Sequence, residues 1–221
     1  MKISPTLTEV KEIAKTGKYD ILPVSCEILS DFITPIEAMR ILQNVSTHCY
    51  LLESAQANEA WGRYTFLGYD PKLEINCIDG HMKLGKLSVE TENPSEYIRQ
   101  ILSEYKSPKF DYLPSFTGGL VGYFSYDYLG YKEKSIRGKA RDTEDFKDVD
   151  LMLFDKVIAF DNLCQKIILI ANMSLDAPET GYNKAIVELK QLRELLMHGE
   201  KKQNMGGKLL GEVTPLFDKE Q

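Results

Sequence analysis

Two short turns constrain this chain more than any other feature. Asp79-Gly80 separates residues 72–78 from 81–84, and Asp161-Asn162 separates 151–160 from 166–171. The flanking runs are rich in β-branched and aromatic residues, as strands are, and Asp-Gly is a strong two-residue hairpin signal. Strands joined by tight turns pair antiparallel, because a parallel pair needs a long crossover. Residues 19–28, 48–53 and 63–69 read as further strands, with only Asp70-Pro71 between the last of these and 72–78.

Helices punctuate the strands. Thr6-Leu-Thr-Glu9 has capping-box spacing, with Val10, Ile13 and Ala14 on one face and Gly17 as a stop. Thr34-Pro35-Ile36-Glu37 repeats the box with proline at the first helical position, ahead of Ile36, Met39, Ile41, Leu42 and Val45. Asn93-Pro94-Ser95-Glu96 starts a third helix carrying Tyr97, Ile98, Ile101, Leu102 and Tyr105. Residues 181–198 form a fourth, with Ile186, Leu189, Leu192, Leu195 and Leu196 as its stripe and Gly199 at its end. The expected class is α+β: a large antiparallel sheet, sandwich-like, with helices packed on its outer faces. Residues 1–199 read as one domain. Residues 200–221 are glycine-containing, poor in large apolar groups and without a period, which reads as a linker leading away from it.

Composition narrows the function classes. The chain has 221 residues, 43% of them apolar, enough for a real core. A net charge of −6 argues against nucleic-acid binding, which usually shows a basic face. No apolar run approaches the ~18–20 residues that cross a bilayer, so no membrane partner is expected. The charged opening MKISPTLTEVKEIAK lacks the apolar centre of a signal peptide. Cys26, Cys49, Cys77 and Cys164 are scattered with no CxxC pair, which reads as reduced, buried thiols in a cytoplasmic protein.

No constellation of residues announces catalysis. His48, His81 and His198 are far apart and none has a second ligand at metal spacing. His198 suits the negative end of a helix dipole. No GxSxG, GxxxxGK[ST] or HExxH occurs. Gly118-Gly119-Leu-Val-Gly122 lacks the lysine of a phosphate loop and reads as a strand where backbones approach closely.

The binding signal is Leu51-Leu52-Glu53-Ser54, a strand with core-directed leucines that ends on a carboxylate and a hydroxyl. Arg63 follows within Trp61-Gly62-Arg63-Tyr64-Thr65-Phe66-Leu67-Gly68. If the intervening residues form a loop, an acceptor, a hydroxyl and a guanidinium converge at a sheet rim and suit a zwitterion. From the residues alone a second reading stands beside it: Glu53 and Arg63 pair across a sheet edge, and Ser54 caps a turn.

These segments, followed by Gly118-Gly119-Leu-Val-Gly122-Tyr-Phe-Ser-Tyr-Asp127, resemble the amino-terminal region of anthranilate synthase component I, in order and at fitting separations. Related para-aminobenzoate and isochorismate-type synthases are the rivals within that group, and the intact Leu-Leu-Glu-Ser disfavours them. A stand-alone amino-acid-binding module is the rival outside it. The resemblance implies a subunit that converts chorismate and ammonia to anthranilate and pyruvate with Mg2+. A glutamine amidotransferase subunit supplies the ammonia. It implies that chorismate and the metal belong to a carboxy-terminal catalytic domain absent here, after the segment resembling residues 213–220. It further implies that Leu52, Glu53 and Ser54 hold L-tryptophan as a feedback effector, with Trp61 to Tyr64 beside it. Arg63 is expected either there or in a structural ion pair. No catalytic residue is expected in this chain, and Gly118, Gly119 and Gly122 are expected to serve sheet packing near a domain interface.

Overall fold

The computed structural model describes residues 1–53, 62–133, 135, 146–202, 206–207 and 210–211. Eleven strands and four α-helices are formed among them. In chain order they are β1 (Ile3–Ser4), α1 (Leu7–Lys15), β2 (Ile21–Leu29), α2 (Pro35–Val45), β3 (Cys49–Leu52), β4 (Tyr64–Tyr69), β5 (Leu73–Ile78), β6 (His81–Leu84) and β7 (Leu87–Glu90). There follow α3 (Pro94–Ser103), β8 (Gly119–Phe124), a 3₁₀ turn (Tyr126–Tyr131), β9 (Val149–Phe154), β10 (Lys156–Asp161), β11 (Lys166–Ser174) and α4 (Pro178–His198).

Both threonine boxes form. Glu9 N donates to Thr6 Oγ1 at 3.3 Å while Thr6 N donates to Glu9 Oε2 at 2.7 Å. The same reciprocal pair joins Thr34 and Glu37, so each box satisfies two amide donors that a bare helix end leaves unpaired. Gly17 lies just beyond α1 with φ +62°, the left-handed conformation that ends helices. Asp79 and Gly80 both have positive φ, which a tight hairpin turn of matching twist requires.

Every ladder is antiparallel, and the strands make two sheets. The larger has order β1-β2-β11-β10-β4-β3 and the smaller β7-β6-β5-β9-β8. Leu22, Val24, Leu67, Ile158, Ile167 and Leu169 on one face of the larger sheet pack with Val10 of α1, Ile41 and Leu42 of α2, and Leu189, Leu192 and Leu196 of α4. The alternate residues Val157, Ala159, Ile168 and Ile170 point the other way, onto Leu113, Phe110 and Phe116. β10 and β11 are therefore apolar nearly throughout, since neither face meets water. The smaller sheet buries Ile75, Cys77, Met82, Val149 and Leu151 against Ile98 of α3.

The apolar run 151–160, expected as one strand, is two. β9 pairs with β5 and β8, whereas β10 pairs with β4 and β11. The break falls at Asp155, whose carbonyl accepts from both the backbone N and the Nδ2 of Asn172, each at 2.9 Å. Asp70-Pro71-Lys72 makes the second crossing between sheets, and Lys72 N donates to Leu153 O at 2.7 Å. The cysteine expectation also needs correcting. Cys26 and Cys77 are buried, and burial pushes the Cys26 thiol up to about 11. Cys49 is half-buried, and Cys164 is exposed because it sits in the β10–β11 turn. The expected linker lies mostly outside the described residues.

Gly122 in β8 has φ +152°, and a Cβ there would run into the Asp150 carbonyl of β9. Gly17 has an unusual φ too, but its surroundings are open. Gly122→Ala should cost about 3 kcal/mol of unfolding free energy through backbone strain plus overpacking. Gly17→Ala should cost only ~1 kcal/mol, the left-handed penalty alone. Urea titrations of the two variants measure the difference, and equal losses would show that the β8–β9 contact relaxes freely.

Candidate functional site

The segments singled out in the sequence meet at one end of the β3–β4 pair. Leu52, the last residue of β3, is opposite Phe66 in the ladder, and Glu53 follows it at the end of the pair where β4 begins at Tyr64. β3 is the last strand of its sheet, which leaves its outer edge open. Glu53 is exposed at the tip of that edge. Ser54 and Trp61 lie outside the described residues. Leu51 and Leu52 do not both enter the core, as the sequence suggested. Leu51 packs on the main cluster, while Leu52 is 47% exposed, because successive strand side chains face opposite ways.

Arg63 is held from the far side of β4. Its Nε donates to Asp161 Oδ1 at 3.1 Å and its Nη2 to Asp161 Oδ2 at 2.7 Å, a bidentate pair. The Asp161 side chain is fully buried and that of Arg63 is 35% exposed. Asp161 Oδ1 also accepts the turn amides of Leu163 and Cys164 at 3.2 and 3.1 Å. Burial alone would raise the Asp161 carboxyl, but the Arg63 and Cys164 hydrogen bonds outweigh it and hold the group below its ordinary range. The same hydrogen bond to Asp161 raises the Arg63 guanidinium above its already high value. No ion pair joins Arg63 to Glu53 among the described residues; the cross-edge pairing considered above is replaced by one that runs inward.

This arrangement leaves Arg63 usable. The Tyr64 ring centroid is 4.9 Å from its Cζ, and Nη2 also approaches Cys164 Sγ at 3.7 Å. Nη1 donates to nothing among the described residues. An arginine fixed at Nε and Nη2 can still offer Nη1 to an anion at the rim. Tyr64 is half-buried, its phenol raised by burial, and its ring leans on Phe66 at 5.8 Å. The end of β3 and the start of β4 therefore carry an exposed carboxylate, an aromatic ring and a guanidinium whose Nη1 donates to nothing among the described residues.

Asp161 is the residue that sequence reasoning missed. It read as half of a turn, and nothing local marks it as the partner of an arginine 98 positions earlier. The one clue is that an otherwise apolar strand, Lys156–Asp161, ends on a carboxylate. The histidines form no site: His48, His81 and His198 each lie against a single carboxylate, those of Glu74, Glu90 and Glu194. Among the described residues no three His, Cys, Asp or Glu side chains converge to hold a metal ion. No described helix is long and apolar enough to cross a membrane.

Comparison with known proteins sets these features in a lineage. No family model matches the chain. Anthranilate synthase component 1 of Acetivibrio thermocellus is 34% identical over 198 residues, spanning 87% of this chain and 39% of that protein. Anthranilate synthase component 1 of Pseudomonas aeruginosa is 36% identical over 196 residues, spanning 85% and 39%. The crystal structure of anthranilate synthase component I from Streptococcus pneumoniae TIGR4 matches 75% of this chain and 36% of that one, at 25% identity and a TM-score of 0.49. The sequence identities relate this α+β chain to component 1 subunits of anthranilate synthase. The chain belongs to the anthranilate synthase component I family. It spans about two-fifths of the length of the curated relatives it matches.

The Asp161 carboxyl is depressed in the folded state, so its contribution to stability is present above the usual carboxylate range and is lost as pH falls through the folded value. Asp161→Asn should cost about 1–2 kcal/mol at neutral pH, below the ~1.5–3 kcal/mol of a charged hydrogen bond because Arg63 is partly solvated. The gap to the native chain should close below about pH 4. Urea midpoints across that range test it, and a gap independent of pH would refute the ionic account.

Proposed function

We propose that this chain is the effector-sensing part of an anthranilate synthase, and that its β3–β4 rim supplies part of an L-tryptophan feedback site. The observation that carries this reading is that exposed Glu53 follows the end of edge strand β3, while its partner β4 starts there with the Tyr64 ring against Arg63, whose Nη1 donates to nothing among the described residues. Its family relatives bear the corresponding enzyme name.

The chemistry follows from what a free amino acid needs. Its ammonium must exchange water for protein acceptors, and an unpartnered buried charge costs several kcal/mol. Glu53, joined by the Ser54 hydroxyl, takes the ammonium. Arg63 Nη1, oriented by Asp161, takes the carboxylate. Leu52 is exposed at the same place and provides apolar surface for an indole. The complete subunit converts chorismate and ammonia to anthranilate and pyruvate, with Mg2+ and chorismate held by the portion of the family's length that this chain does not span. A glutamine amidotransferase subunit delivers the ammonia. Tryptophan inhibits by favouring an arrangement of the subunit that binds chorismate poorly, a coupling of two sites. On this reading the chain alone makes no anthranilate, because chorismate and Mg2+ are held by the portion it does not span.

Glu53→Ala and Ser54→Ala, made in a complete component I polypeptide carrying this region, should raise the inhibitory tryptophan concentration about ten- to a hundredfold, the worth of a hydrogen bond to a charged group. Uninhibited turnover should change little. Unchanged inhibition in a folded variant, or lost turnover with inhibition intact, would defeat the assignment.

A further inference from the structure

We infer that the cleft between α1 and residues 110–112 is a second binding site, for a small organic cation: an ammonium group carried on an apolar body. The cleft has a volume of about 410 Å³, within the ~300–1,000 Å³ of small-molecule sites. Glu9, Glu12 and Ile13 of α1 line it on one side, and Pro5, Phe110 and Tyr112 add apolar surface. It lies beside β1, at the edge of the larger sheet opposite the β3–β4 rim. Five strand spacings separate those edges, about 24 Å at ~4.8 Å each.

The aromatic side is held in place. Leu113 N donates to Phe110 O at 3.0 Å, and this turn brings the Phe110 and Tyr112 rings into a stack, centroids 5.2 Å and planes 26° apart. Phe110 also packs on the core beneath. Tyr112 is 46% exposed, and its Oη makes no hydrogen bond among the described residues.

Each carboxylate is engaged through one oxygen only. Thr6 N and Oγ1 both donate to Glu9 Oε2, at 2.7 and 2.8 Å. Lys15 meets Glu12 Oε1 at 2.7 Å, an exposed pair of little energetic worth. Glu9 Oε1 and Glu12 Oε2 accept nothing among the described residues. The Glu9 charge reaches the far side of the cleft: burial first, and that charge second, push the Tyr112 phenol up to about 12. It raises the Tyr182 phenol in the same order, and Tyr182 Oη donates to Pro5 O at 3.0 Å in the cleft lining. No lysine, arginine or histidine lines the cleft among the described residues.

That combination selects the ligand. An ammonium group gains the open carboxylate oxygens and the face of an aromatic ring. Pro5, Ile13 and the two rings take the apolar body that carries it. An α-amino acid would bring its own carboxylate against Glu9 and Glu12 with no basic side chain in the lining to answer it. Discrimination of this kind comes as much from the mismatch left to the wrong ligand as from contacts to the right one. The cleft therefore rejects tryptophan, and it differs from the rim in kind. The positive end of the α1 dipole offsets part of the acidic charge, which keeps the expected affinity in the millimolar range.

The test uses the 221-residue chain, labelled for amide NMR and titrated separately with phenethylammonium, phenylpropionate and L-phenylalanine. Phenethylammonium should produce saturable shifts at Glu9, Ile13, Phe110 and Tyr112. The anion and the zwitterion should each bind about tenfold more weakly. Glu9→Gln removes the charge but keeps the capping box, which glutamine also closes, and should weaken the amine about tenfold. Tyr112→Leu removes a half-exposed ring and should weaken it about threefold. That second variant carries the test by itself if α1 frays in the first. The proposal falls if the amine does not saturate, if phenylpropionate or L-phenylalanine matches it, or if either folded variant binds as the native chain does. It falls equally if the shifts centre on Glu53 and Arg63. A tryptophan titration read at that rim is a separate measurement, so failure of either site leaves the other standing.

Discussion

The double hydrogen bond from Asn172 to the Asp155 carbonyl is the contact on which the layout turns. Residues 149–161 are apolar enough to run as one long strand, and a long strand would weld everything into a single sheet. A side-chain amide placed beside the backbone amide of the same residue satisfies that carbonyl outside any ladder, and the strand changes partners there. Asn172 Nδ2 also donates to Thr117 O at 2.6 Å, tying the approach to β8 to the same point. Buried carbonyls left unpaired are costly, so the arrangement holds the two sheets at one joint.

From that joint β10 runs outward, buried on both faces, and delivers Asp161 to the opposite end of the sheet. A fully buried carboxylate survives there because four donor groups meet it: Nε and Nη2 of Arg63 and the turn amides of Leu163 and Cys164. The pair is weak evidence for stability as such, since desolvation offsets much of the attraction. Its consequence is geometric. Two of the guanidinium's nitrogens are committed to Asp161, and the third, Nη1, donates to nothing among the described residues. A positioned donor of this kind loses less freedom on meeting a ligand than a free side chain would.

Local signals made much of the fold legible. The two capping boxes, the Asp79-Gly80 turn, the Gly17 stop and the apolar stripe of α4 all act over a few residues, and each appears where its spacing put it. α4 begins at Pro178, earlier than its stripe suggests, because Pro178 to Thr180 contribute helical backbone without large apolar side chains. The rim residues were legible as a set, since Glu53, Arg63 and Tyr64 belong to two adjacent strand ends. Their engagement was not. The β3 alternation sends Leu52 outward, and Arg63 turns toward Asp161 rather than Glu53.

What the sequence by itself determined is the class of structure and the place of the rim: antiparallel strands, helices laid against them, and polar groups at the end of β3 and the start of β4. These follow from periodicity, turn chemistry and capping, which are interactions between near neighbours in the chain. Tertiary structure alone decided where 151–160 divides and which carboxylate Arg63 meets. Each of those depends on residues from 17 to 98 positions apart being brought together. No short-range pattern carries the geometry of such a meeting, because it is set by how two sheets and four helices share one interior.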